Sequence, residues 1–226
     1  MKLAQVARKS VTFAFSLLSV AAMAALMPVT GLSLPAFAAE TMAQADTLVG
    51  KPAPQFELKD INGKTHKLKD FKGKIVVLEW FNDGCPFVKK HYTSDNMQKL
   101  QREFTGRGVV WLSINSSAEG KQGSHSAAEY KKVLTDWKAE PTALLLDKDG
   151  HVGRMYGAKT TPDMYVIDKK GVLVYQGAID DKPSADPADV ASAKNFVKQA
   201  LDELMGGKKV SVASEKSYGC SVKYAD

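Results

Sequence analysis

Val76-Val77-Leu78-Glu79-Trp80-Phe81-Asn82-Asp83-Gly84-Cys85-Pro86-Phe87-Val88-Lys89-Lys90-His91-Tyr92 decides how the rest of the chain is read. Its first half is a near-continuous apolar run, the pattern of a strand covered on both faces. The run breaks at the polar Asn82-Asp83-Gly84 turn, and Cys85 follows where a helix should begin. Pro86 fits that boundary, because proline at the first helical position gives up an N–H that has no partner there anyway. A helix start presents unpaired backbone N–H groups and the positive end of the helix dipole. Both favour S⁻ over S–H and lower a cysteine pKa from its free value of about 8.5. Cys85 is therefore the candidate nucleophile.

Residues 78–88 also resemble the strand-to-helix junction of thioredoxin-fold redoxins, and within them the peroxiredoxin-like (alkyl hydroperoxide reductase/thiol-specific antioxidant) proteins. The resemblance sets Cys85 on the nucleophilic first cysteine and Val88 where the second cysteine of Cys-x-x-Cys would stand, so no local resolving thiol follows. Cys-Pro at a helix start is also how a peroxiredoxin presents its peroxidatic cysteine. The Thr or Ser three residues before that cysteine is Asn82 here, and the proline four residues earlier still is Leu78. A second alignment sets Cys85 on the later cysteine and Asn82 on the earlier one. In thioredoxins a buried acid lies six residues before the nucleophile, so the resemblance implies that Glu79 is a proton acceptor near the thiol. The alternative is a strand-end glutamate reaching solvent, because burying an unpaired carboxylate is costly.

Upstream, Lys2, Arg8 and Lys9 precede an apolar stretch over residues 11–34 that ends in Ala36-Phe37-Ala38. This reads as a cleavable secretory signal over residues 1–38, with export to the periplasm. Residues 39–46 are polar and small, a flexible lead-in. The signal carries three of the 31 basic residues and none of the 25 acidic ones, so part of the net charge of +6 belongs to it. What remains gives no reason to propose nucleic acid or, after cleavage, a membrane as partner. Both cysteines, Cys85 and Cys220, lie beyond the signal and enter a compartment where a pair can become a disulfide.

Downstream, residues 50–58 alternate into a strand, Asn62-Gly63 supplies a hairpin turn and residues 64–68 return. Residues 75–81, 109–114 and 142–146 read as further strands, and residues 126–138 as a helix. Behind Cys85 the pattern predicts one kinked helix or two abutting ones, the second capped by Ser94 or Asp95. The Gly/Ser/Lys-rich residues 115–125 read as a mobile loop. Asp147-Lys148-Asp149-Gly150 reads as a turn. Tyr156 stands where an EF-hand would need its glutamate. Residues 152–156 form a short helical segment, and residues 172–177 a hairpin partner for the strand after Pro162. The last helix begins at Asp186 or Asp189, with Val190, Ala193, Val197, Ala200, Leu201 and Leu204 as its apolar stripe.

This layout is similar to the α/β thioredoxin-like fold: a central mixed sheet flanked by helices, with an N-terminal β-hairpin and a C-terminal extension. The fold domain spans residues 47–207 and the tail residues 208–226. The resemblance implies that Pro162 is cis and packs against the active-site cysteine; a trans turn proline is the default for an isolated Thr-Pro bond. The tail alternates at Val210 and Val212 like an edge strand and carries Tyr218, Cys220 and Tyr224. It reads as a segment docking back on its own domain or on a second subunit, which leaves a homodimer open. The resemblance implies that it brings Cys220 to Cys85 as a resolving cysteine.

Three function classes follow. In the first, an exported thiol oxidoreductase with antioxidant, peroxidase-like activity attacks a peroxide with Cys85, or in the alternative a protein disulfide, is resolved by Cys220 and is regenerated by a thioredoxin-type thiol reductant, with no cofactor. In the second, the pair is a structural disulfide in a binding module. In the third, Cys85 and His91 hold a metal, but six residues on a helix is about 240° of rotation, so the two side chains point apart. A helix-start Cys-Pro favours the first class, since a structural pair has no need of it. Peroxiredoxins polarise peroxide with an arginine. Beyond the signal the chain offers Arg102, Arg107 and Arg154.

Overall fold

The computed structural model describes residues 47–226, so the signal expected over residues 1–38 and the lead-in expected over 39–46 lie outside the described residues. Among the described residues no helix is long and apolar enough to cross a membrane. The chain enters through a hairpin of β1 (Glu57–Asp60) and β2 (Thr65–Lys67), paired antiparallel with Lys59 opposite Thr65. Asp60 Oδ1 fixes the turn by accepting from the amides of Asn62 and Lys64 at 2.8 and 3.0 Å. The remaining strands are β3 (Val76–Trp80), β4 (Val110–Asn115), β5 (Ala143–Leu146), β6 (Thr160–Thr161), β7 (Asp163–Ile167), β8 (Leu173–Gly177) and β9 (Cys220–Ser221). Seven of the nine strands among the described residues form one sheet in the order β2-β1-β5-β4-β3-β7-β8. β3 runs parallel to β4 and antiparallel to β7, so the sheet is mixed.

Every residue of β3, β4 and β7 is buried, which explains the unbroken apolar runs: these strands are covered on both faces. Side chains alternate between the faces. Val77 and Phe81 join a core with Met97, Phe104, Trp111 and Leu201, under α1 (Pro86–Thr93), α2 (Asn96–Gly106), α3 (Ala127–Asp136) and α5 (Phe196–Met205). Val76, Leu78 and Trp80 face a second core with Leu112, Leu145, Tyr156 and Tyr165, closed by α4 (His151–Tyr156) and the incoming segment at Ala53 and Phe56. The fold is thioredoxin-like, a mixed sheet between two helical layers.

The stretch after Cys85 is two helices, broken at Ser94-Asp95, where Asp95 takes φ 59°. Asp95 caps nothing with its side chain; it pairs with Arg102 at 3.1 Å instead. The start expected for the last helix is corrected. Pro187–Ser192 is a separate 3₁₀ segment and α5 begins at Phe196, because Asn195 caps it by accepting from Lys198 N at 2.8 Å. Val190 and Ala193 therefore leave the apolar stripe. Residues 115–125 are not the mobile loop expected. Asn115 Nδ2 donates to Gly123 O, Tyr130 Oη donates to the same carbonyl at 2.7 Å, and Asn82 Nδ2 donates to Gln122 O at 3.1 Å. Side chains from β3's turn and α3 thus hold the loop from both sides. The edge strand expected around Val210 is absent too: the tail meets β8 further on, where Gln176 N donates to Ala213 O and Glu215 N to Gln176 O.

Candidate active site

β3 ends beside β4, with Phe81 N donating to Ile114 O at 2.8 Å, and Asn82 then folds the chain back on itself. Its side-chain oxygen accepts from Gly84 N at 2.8 Å and its carbonyl accepts from Cys85 N at 3.1 Å. Cys85 is the N-cap residue of α1 with Pro86 as first helical residue, and its carbonyl accepts the opening helical bond from Lys89 N at 2.9 Å. The sulfur sits over the opening turn of α1, where the Val88 amide is one of its donors. It is 0% exposed, and its thiol donates to Thr161 O at 3.0 Å. The Thr161-Pro162 peptide bond is cis.

The tail closes the site from outside. β9 pairs antiparallel with β6, with Cys220 opposite Thr161. The thiol and the amide of Cys220 both face the Cys85 sulfur, and both cysteines are free thiols. Two glycines let the backbones approach this closely. Gly219 has φ 136°, and a Cβ there would lie 2.1 Å from Thr161 O; at Gly177 (φ 126°) a Cβ would lie 1.7 Å from Glu215 O. Further out, Val222 N donates to Lys159 O, Tyr224 Oη to Ala158 O, and Ala118 N to Lys223 O.

Burial raises the Cys85 pKa, but donors reverse the balance: the Cys220 thiol, the Thr161 side chain, and the amides of Val88 and Cys220 together hold it below the ordinary thiol value. The Thr161 hydroxyl has no other hydrogen-bond partner among the described residues, so its proton is available to a thiolate. Cys220 shifts the other way. Burial and the neighbouring Cys85 push it up to about 11. The pair is thus polarised, Cys85 ionising first while Cys220 keeps its proton and donates it toward the neighbour.

Glu79 is fully buried on the Phe81 face of β3. Its two oxygens accept from Tyr92 Oη (2.9 Å), Trp111 Nε1 (2.8 Å), Ser113 Oγ (2.9 Å) and Gln101 Nε2 (3.4 Å), four donors that do not include Cys85. Burial raises its pKa against the pull of those bonds. The arginines are engaged elsewhere: Arg102 with Asp95 and Glu140, Arg107 with Glu103 and Asp202, and Arg154 over the Tyr224 ring at 4.5 Å. His91 turns both ring nitrogens away from the thiol, one toward Tyr218 Oη and one accepting from Asn96. Among the described residues no group of three or more His, Cys, Asp or Glu could hold a metal ion.

Sequence reasoning missed three features here. Thr161 is both the acceptor for the Cys85 thiol and the strand partner of Cys220; its place before Pro162 was the available signal. Asp163, just after Pro162, is raised by burial to about 7. Lys90 has a side chain 0% exposed and lies 3.6 Å from Asp180, a partner that nothing in the local pattern announces.

A family profile described as "AhpC/TSA family" matches residues 49–176, more than half of the chain. The thiol-disulfide oxidoreductase ResA of Bacillus thuringiensis subsp. konkukian is 30% identical over 128 residues, which cover 57% of this chain and 68% of that protein. The chloroplastic peroxiredoxin Q of Triticum aestivum is 35% identical over 136 residues, covering 56% of this chain and 57% of that one. Among solved structures, an uncharacterized conserved protein from Geobacillus kaustophilus superposes with a TM-score of 0.65 at 29% identity, covering 78% of this chain and 92% of that chain.

Proposed function

The chain belongs to the AhpC/TSA family and is a thiol oxidoreductase, and from that premise we propose that it exchanges disulfides through Cys85 as nucleophile and Cys220 as resolving cysteine. The observation that carries this reading is the register of β9: an extended segment bearing a sulfur already pairs with Thr161 and turns its thiol to Cys85. A substrate disulfide on an extended chain would meet the same edge by strand addition.

In the resting state the Cys85 thiol donates to Thr161 O. On losing its proton, the thiolate accepts instead from the Thr161 hydroxyl, the Val88 amide and Cys220. It attacks one sulfur of the substrate disulfide, forming a mixed disulfide, and the other sulfur leaves as a thiolate. The leaving thiolate takes up a proton. Cys220 gives up its own proton and attacks the Cys85 sulfur, which releases the second substrate thiolate. The substrate gains two electrons and two protons, and the Cys85–Cys220 pair is oxidised to a disulfide. An external thioredoxin-type thiol restores it. Pro162 belongs to this site as the residue that follows the accepting carbonyl. Glu79 supports the α1–β3 junction through Tyr92 in place of the direct proton acceptance that the family resemblance implies.

Peroxide reduction is the second reading, favoured by the Cys-Pro helix start and by the likeness to peroxiredoxin Q. There the thiolate would take one peroxide oxygen to become a sulfenic acid, releasing the alcohol or water, and Cys220 would condense with it to the same disulfide plus water. Against it stand the engaged arginines and the absence of a Thr or Ser at Asn82. Export by the segment 1–38 accords with an oxidisable pair. Stopped-flow oxidation of the reduced protein tests the choice: disulfide exchange predicts faster reaction with a model peptide disulfide than with hydrogen peroxide, and the opposite order makes the peroxidase reading the correct one.

A further inference from the structure

We propose that Tyr218 is the residue that positions Cys220 against Cys85, through a buried cluster carried by the same helix that Cys85 begins. The inference rests on the Cys85–Cys220 reading above and goes beyond it, because it names what holds the tail in register. Tyr218 lies two residues before Cys220, is partly buried, and is held through both its hydroxyl and its ring. Its hydroxyl donates to Asp180 Oδ1 and accepts from His91 Nε2 at 3.3 Å and Lys90 Nζ at 3.5 Å. Its ring meets Phe87 edge-on at 5.9 Å, and the Lys90 ammonium sits 5.4 Å from the ring centroid.

Three of these anchors, Phe87, Lys90 and His91, stand at spacings of three and four on α1 and so share one face of it. The thiol and the tail's anchorage are therefore parts of one rigid body, and the separation between Cys85 and the Tyr218 site cannot drift. Lys90 Nζ also donates to Lys182 O at 2.6 Å, and Asp180 Oδ1 accepts from Lys182 N at 3.0 Å. The loop that carries Asp180 is thus tied to the same cluster.

A buried lysine–carboxylate pair contributes little net stability over an apolar replacement, and its best-attested use is to fix a register. Here the register it fixes is that of a tail whose own strand is only two residues long. Asn96 donates to His91 Nδ1, which leaves the proton of that ring on Nε2, directed at the tyrosine oxygen. The hydroxyl thus has two donors and one acceptor on three different residues, an orientation that a phenylalanine ring alone would not reproduce.

The test follows two successive thiol-exchange events in the full chain. Reduced protein is mixed with a chromogenic aryl disulfide, dithiobis-nitrobenzoate. Attack by Cys85 releases one coloured thiolate, and displacement by Cys220 releases the second while closing the Cys85–Cys220 disulfide. Tyr218→Phe keeps the ring on Phe87 and removes the hydroxyl. Its second release should slow about tenfold, with the first release as fast as in the wild type or faster, because a loosened tail uncovers Cys85. Asp180→Asn, which keeps the shape and removes the charge, should slow the second release in the same way. The proposal is overturned if the second release keeps its wild-type rate in both variants, or if both releases slow together with a fall in melting temperature, which marks a structural role only. A wild-type protein that releases one equivalent and stays a mixed disulfide sinks the Cys85–Cys220 reading itself, and the positioning role with it.

Discussion

Cys85 and Cys220 meet at Thr161, yet the chain holds them by different means. Cys85 sits where β3 passes into α1, and its position follows from sheet pairing on both sides of β3 and from the first helical bond. Cys220 sits on a two-residue strand, kept in register by side-chain anchors at Tyr218 and Tyr224 and by two glycines that admit the approach. Moving Cys85 would require unfolding the core, whereas Cys220 is released by breaking a few local contacts. This suits the roles proposed for them, a nucleophile that must be presented identically in every cycle and a resolving partner that must leave before a substrate can reach a sulfur with no exposure.

The comparison breaks first at the thiols themselves. Cys85→Ser should abolish thiol exchange, a loss on the order of a thousandfold or more. Cys220→Ser should still perform the first half of the exchange and accumulate the mixed disulfide, seen as an added mass on the intact protein. Equal losses in both variants would erase the asymmetry.

Gly219→Ala attacks the tail side alone. Its Cβ would meet the Thr161 carbonyl in a backbone conformation that costs about 1–3 kcal/mol for an L residue. Closure of the Cys85–Cys220 disulfide should slow by roughly tenfold to a hundredfold, while the core melts nearly as before. A large fall in melting temperature without slower closure would show that the tail belongs to the core and not to the site.

Alkylation against pH sharpens the contrast between the two sulfurs. Donors lower Cys85, whereas Cys220 is pushed up to about 11. Near pH 7, limited alkylation of the reduced wild-type protein should label Cys85 at least about tenfold more than Cys220, read by mass mapping of the labelled peptides, despite its deeper burial. Faster alkylation at Cys220 would assign the nucleophile to the wrong cysteine.

The smallest effect concerns Glu79 on the rigid side. Its folded pKa is raised by burial, so the stability it contributes is fully present below the ordinary carboxylate value of 4.5 and is lost as pH rises through the folded value. Glu79→Gln turns an amide donor toward donors and should cost about 1–3 kcal/mol near pH 5. That gap should narrow as pH rises, because only the wild type loses stability over that window. Chemical denaturation at several pH values reads it, and a gap that widens with pH would mean that the carboxylate is stabilised in its charged form.

The sequence by itself determined the sheet strands, the helix start at Cys85 and the thiolate logic that goes with it, because each depends on neighbours within a few residues: an apolar run, a polar turn, a cysteine, a proline. The hairpin at Asn62-Gly63 and the capping box that opens α3 at Ser126 and Glu129 are local in the same sense. Tertiary structure alone decided that residues 115–125 are fastened and that Lys90 is buried beside Asp180. It also decided that Cys220 lies opposite Thr161. These outcomes depend on pairs separated by dozens of residues, as with His91 and Tyr218 or Asn82 and Gln122. No periodicity of 2 or 3.6 residues encodes such a pair. The energy of a buried polar group depends on which partner the fold delivers to it, and a single chain read in order does not contain that distance.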